Sequence, residues 1–128
     1  MHQLRVLTVL MLILLYGAGC GGSSKAAMEK ERANQYFSKF DEIMAGNQPG
    51  AGEKSAEAGL KAVAAIEAIP TEGVPADVVA NCRDWASFIK RGTESVKQGE
   101  LKNDVLQAWK TEAAALDATT RQLRAKYK

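Results

Sequence analysis

The chain reads as all-α, an antiparallel up-down four-helix bundle that follows a distinct N-terminal segment. Three observations point there. Apolar residues recur at helical spacing through four stretches, the breaks between them are short and made of turn formers, and only 6 % of the 128 residues are aromatic. An alanine-rich, charge-rich composition with few β-branched runs suits helices packed close together.

The first helix is expected from Lys25 to about Ala45, where Ala33, Tyr36, Phe37, Phe40 and Ile43 repeat with charges between them. Gly46 to Gly52 is a run of turn formers that ends it. A second helix, about Glu53 to Ile69, carries Ala56, Leu60, Val63, Ile66 and Ile69 on one face and stops at Pro70, because the residue before a proline is pushed out of the α region. Pro75 suits the first position of a third helix, with Asp77 near the positive end of its dipole. Val78, Cys82, Trp85, Ile89 and Val96 form its stripe, which passes Gly92 without losing phase and ends at Gly99. The last helix, about Glu100 to Tyr127, presents Leu101, Val105, Trp109, Leu116, Leu123 and Tyr127, and finishes on basic residues favoured at a helix C-terminus. Short links imply antiparallel neighbours, which returns the C-terminus to the end where the first helix begins. The rival arrangement has three helices, the last two fused through Gly99.

The N-terminal segment has a different character. Met1 to Arg5 is short and positively charged, and Val6 to Tyr16 is apolar but shorter than the ~20 residues of a membrane-spanning helix. Gly17-Ala18-Gly19-Cys20 comes next, and this resembles the lipobox of bacterial lipoproteins, in which the chain is cut before a cysteine that then receives a diacylglycerol. The resemblance implies a signal peptide over 1–19, lipidation of Cys20 and a flexible tether over 20–24. It also implies a helical domain over 25–128 in the cell envelope. Gly21, in place of the aspartate of inner-membrane retention, favours the outer membrane, facing the periplasm. Ordinary secretion with an unlipidated Cys20, and an uncut membrane anchor, remain the alternatives.

The chain beyond Cys20 has roughly 110 residues, one small domain. Lys and Arg number 17 against 15 Asp and Glu, so no broad positive field recommends nucleic acid as a partner. The one histidine, His2, lies in the signal, which removes His-dependent triads and His-ligated metals from the domain. Neither a Walker loop nor a CxxC occurs, and no enzyme or cofactor is expected. Cys82 is read as a buried thiol, with an intermolecular disulfide as the alternative.

Two groups of residues stand as candidate contacts. Trp85, Trp109, Glu67 and Glu112 lie on or beside apolar faces, and are read first as core fillers and solvated edge charges, second as the lining of a ligand cavity. Arg121, Arg124, Lys126 and Lys128 are read first as dipole partners, second as a contact with anionic surfaces. The final helix, with Lys97-Gln98-Gly99-Glu100-Leu101-Lys102 before it and Ala125-Lys126-Tyr127-Lys128 at its close, resembles the four-helix b-type cytochromes of the periplasm. In that family a methionine on the first helix and a C-terminal histidine hold haem. Met28 suits the first position, but the second falls near Leu123 or Arg124, so the resemblance implies the bundle without the haem. The expected function is a membrane-anchored, non-catalytic interaction or structural module with an envelope protein partner. The alternative is a small-ligand carrier descended from a haem-binding bundle.

Overall fold

The structure, a computed structural model, describes residues 21–47, 53–99 and 102–128. Four helices account for nearly all of them: α1 (Gly21–Gly46), α2 (Glu53–Glu67), α3 (Ala76–Lys97) and α4 (Asn103–Lys126). The protein is an all-α four-helix bundle, and among the described residues there is no strand. Its centre is α3, which touches each of the other three helices and packs most extensively on α2.

The α2–α3 contact is close because small residues line it. Ala56, Gly59, Ala62 and Val63 of α2 are buried, facing Ala86, Ile89 and Thr93 of α3. A Cβ placed on Gly59 would stand 2.6 Å from Thr93 Oγ1 and 3.4 Å from Ile89 Cγ2, so the helices approach as near as a glycine allows. This rotation of α2 leaves Leu60, expected on the inner stripe, 37 % exposed at the side. At the other end of the pair, Tyr36, Phe37 and Phe40 of α1 cover Ile66, Ile69, Val78 and Cys82. Fully burying side chains of this size contributes about 1.5–3 kcal/mol each.

Helix ends reflect local chemistry. Pro75 is the N-cap of α3 (φ −54°, ψ 135°), one position earlier than expected, and its carbonyl accepts from the N–H groups of Val78 and Val79. Gly99 takes φ +70° just past the C-cap Gln98 and its N–H donates to Val96 O, the left-handed cap that only glycine adopts without strain. That cap separates α3 from α4 and rules out the fused three-helix arrangement. Between α2 and α3, Val74 N–H donates to Thr71 O across a turn with Gly73 at φ +72°, the geometry of a type II turn.

The described part of helix α1 takes in Gly21 to Ser24, residues of the stretch expected as a tether. It is also displaced along the bundle axis. Arg32 lies against Gly73, Asn34 reaches Tyr127 and Asp41 reaches Arg124, whereas Ser24 to Glu31 is exposed throughout. At 1.5 Å per residue, about 12 Å of helix is therefore exposed before Arg32, with Glu72 and Gly73 of the α2–α3 turn beside it among the described residues. The expected signal over 1–19, Cys20, the Gln48–Gly52 break and Leu101 lie outside the described residues.

Gly59→Ala is expected to destabilise the fold by about 1 kcal/mol, the overpacking cost of ~1–3 kcal/mol less the gain in helix propensity. Thr93 is β-branched and stiff in a helix, so it cannot simply turn aside. Urea unfolding of Gly59→Ala, Thr93→Ala and the double variant checks this. Additive effects would show that the two positions are not in contact.

Candidate functional site

The sequence-predicted contact residues fall mostly along the seam between α3 and α4, and there they hold the fold together. Helix α4 is bound largely through polar contacts: Thr120 is the buried residue within it, and Tyr127 just beyond its end is the one α4-side member of the buried core cluster. Trp85 meets Phe88 edge-on at 5.9 Å, and its indole N–H donates to Thr120 Oγ1 at 2.9 Å. Thr120 Oγ1 in turn lies 2.9 Å from Asn81 Oδ1 and 2.8 Å from Leu116 O.

A threonine hydroxyl has one proton for those two acceptors. Asn81 is 3 % exposed, and its Nδ2 has no hydrogen-bond partner. A half-turn of the Asn81 amide resolves both points. Nδ2 then donates to Thr120 Oγ1 and the hydroxyl gives its proton to Leu116 O, leaving only an amide carbonyl unpaired.

Trp109 packs its ring beside Gly92, where an added Cβ would meet Trp109 Cζ2, Cζ3 and Cη2 at 3.8–4.0 Å, ordinary van der Waals contact. Glu112 pairs with Arg91 across the seam, and that partner holds the Glu112 carboxyl below its ordinary pKa. Glu67 is exposed at the end of α2 and joins none of them. The four candidates of the ligand-cavity reading therefore do not converge on one space.

The basic end of α4 is likewise engaged internally. Arg124 donates to both carboxylate oxygens of Asp41, at 2.7 and 3.1 Å, while its guanidinium lies 4.5 Å from the Phe37 ring centroid. Arg121 pairs with Asp117 one turn earlier. Lys126 reaches Asp77 at 2.7 Å, and Tyr127 Oη donates to the same carboxylate at 2.9 Å. Asn34 Nδ2 donates to Tyr127 O at 3.1 Å, tying the end of α4 to α1. Lys128 is exposed. The Lys126 and Tyr127 contacts are the main reason that the Asp77 carboxyl sits below its ordinary pKa.

Cys82 is fully buried, and burial pushes its thiol up to about 12, so it is protonated and unreactive at neutral pH. Tyr36 Oη nearby is buried without a hydrogen-bond partner, and burial followed by Cys82 raises its pKa above the ordinary tyrosine value. Met28, the position given by the cytochrome resemblance, is 57 % exposed on the projecting part of α1. Leu123 packs against the core and Arg124 holds Asp41. Among the described residues no group of three metal-ligating side chains gathers, and no helix is long and apolar enough to cross a membrane.

A groove beside α1 remains open. Its larger part, about 590 Å³, lies between the projecting turns of α1 and the Glu72–Gly73 turn, with Lys25, Met28 and Arg32 on the helix side. A smaller part, about 140 Å³, continues past Arg32 to Lys39 over Tyr36, Ile69 and Val74. Sequence reading missed this groove, although Lys25, Arg32 and Lys39 stand seven residues apart on one helical stripe. Comparison with known proteins returns no matching family model, no matching curated protein and no matching solved structure.

Thr120→Val removes the acceptor for Trp85 and the partner of Asn81, and is expected to cost about 1–3 kcal/mol. Thermal unfolding followed by tryptophan fluorescence reads the loss. A variant as stable as the parent would show the triad to be dispensable. For Asp77 the folded pKa is depressed, so its stabilisation is present at neutral pH and lost as pH falls below about 4. Asp77→Asn should thus lower the urea midpoint at pH 7 and lose that effect once acid protonates the native carboxyl as well.

Proposed function

We propose that the protein is a lipid-anchored envelope module without catalytic activity, held to a membrane through Cys20 and docking a partner protein. The N-terminal pattern supports the anchor: a basic start, an apolar run too short to span a bilayer, then Gly17-Ala18-Gly19-Cys20. The observation that carries the reading is the placement of α1. Ser24 to Glu31 of α1 is exposed throughout.

A diacylated cysteine at that point gives two acyl chains, each buried methylene contributing about 0.8 kcal/mol, enough for stable anchoring. The exposed turns of α1 then act as a stalk that holds the bundle about 12 Å from the anchored end. The residues with catalytic potential support a non-enzymatic role. Cys82 is an inert thiol, and Glu112 is neutralised by Arg91. Placement in the outer membrane, facing the periplasm, is the form of this proposal that Gly21 favours.

Cys20→Ala is expected to move the protein from the membrane fraction to the soluble fraction, and intact-mass measurement of the parent should show a diacylglycerol addition at Cys20. Continued membrane retention of the variant would overturn the lipid anchor.

A further inference from the structure

We propose that α4 is a releasable arm of the fold: it leaves α3 as a unit, ahead of the other three helices, when the polar seam that holds it opens. The asymmetry behind this lies in how the four helices are joined.

Among the described residues, Ser24 aside, every side-chain hydrogen bond or ion pair between two helices has one partner on α4 or at Tyr127 just past it. From α3, Arg91 meets Glu112, Asp77 meets Lys126 and Tyr127, and Asn81 and Trp85 meet Thr120. From α1, Asp41 meets Arg124 and Asn34 meets the Tyr127 carbonyl. The contacts that join α1, α2 and α3 to one another are of another kind. Tyr36, Phe37 and Phe40 pack with Ile66, Val78 and Cys82 in the buried cluster, and Gly59 closes on Thr93.

Helix α4 adds little to that cluster. Thr120 is its buried residue, Leu123 packs partly buried against the cluster, and Tyr127 joins it from beyond the helix end. Its contact with α3 is also less extensive than that between α2 and α3.

The two kinds of contact differ in what opening costs. As α4 departs, water takes the place of each partner in the seam, so much of the lost bonding is recovered. Parting α1, α2 and α3 bares apolar surface, for which water offers no substitute. The seam therefore opens at lower free energy than the core. Chain geometry permits the movement. Gly99, the residue just past the α3 C-cap, has φ +70°, and a Cβ built on it would meet nothing within 4 Å. Release bares the strip of α3 around Asn81, Trp85 and Gly92 while the other three helices stay folded.

The test is amide hydrogen exchange of the full chain in mild detergent, read by NMR without denaturant. A lone helix of 24 residues frays within about a microsecond, so α4 amides exchange whenever the arm is out. The amides of Ala114 and Leu116 should exchange at least tenfold faster than those of Phe37, Val63 and Cys82, after correction for intrinsic rates. Ile66→Val separates the two openings, because Ile66 is fully buried on α2, which packs on α1 and α3. It should speed exchange at Phe37, Val63 and Cys82 about three- to tenfold, the usual effect of losing one buried methylene, and leave Ala114 and Leu116 unchanged. Thr120→Val should speed exchange in both groups, since the seam is broken in either opening.

Equal protection of the two groups would overturn the proposal, as would an Ile66→Val effect that reaches Leu116 in full. Either result means that α4 leaves only when the whole fold melts. Exchange at Leu116 that Thr120→Val leaves unmoved would overturn the role of the seam.

Discussion

Everything in this bundle is positioned by helix α3, and α3 is positioned by its close approach to α2. The contact at Gly59 and Thr93 leaves no room for a methyl group, and the small residues on either side carry that closeness along the pair. With α2 and α3 acting as one slab, the aromatic residues of α1 cover one end of it, at Tyr36, Phe37 and Phe40. The other surface of α3 is left for α4. A looser α2–α3 contact would separate Ile66 from Val78 and Cys82 and open the only strongly apolar region that the described residues build.

Helix α4 illustrates a different way to hold a helix. It brings little to the apolar core, so its docking depends on Trp85 and Asn81 meeting Thr120, on Arg91 meeting Glu112, and on Asp77 collecting both Lys126 and Tyr127. The exposed ion pairs among these contribute modestly, because solvent screens them and ordering long side chains costs entropy. The buried Thr120 contacts matter more, since breaking them strands polar groups away from water. This division explains why residues that look like functional candidates in sequence, two tryptophans, a glutamate and a basic terminus, turn out to serve assembly. Trp85, Glu112, Arg121, Arg124 and Lys126 each have a partner within the chain.

A groove lies open along α1. Because α1 is displaced toward its own N-terminal end, its first exposed turns and the α2–α3 turn face one another across a groove. Among the described residues, Lys25, Arg32 and Lys39 on that face form no ion pair, and Glu29 and Glu72 share the groove's lining. On the proposed reading, the anchored end of α1 and this groove lie at the same end of the molecule.

The sequence by itself determined the elements. Periodicity placed four helices, Pro70 and Gly99 ended two of them, and the composition left no set of residues for His-dependent chemistry; these are local properties, set by backbone geometry and residue type. Only the tertiary structure decided which way each helix turns and how far it slides. Leu60 lost its place to Gly59 because close packing rewards the smallest residue. Trp85 turned from the core stripe toward Thr120, and the buried face of α3 included Asn81 and Thr93, polar residues that hydropathy assigns to no core. The offset of α1, and with it the groove beside Arg32, was not legible at all. Sliding one helix along another preserves every period in the sequence, and only the matched shapes of side chains across the interface fix the distance.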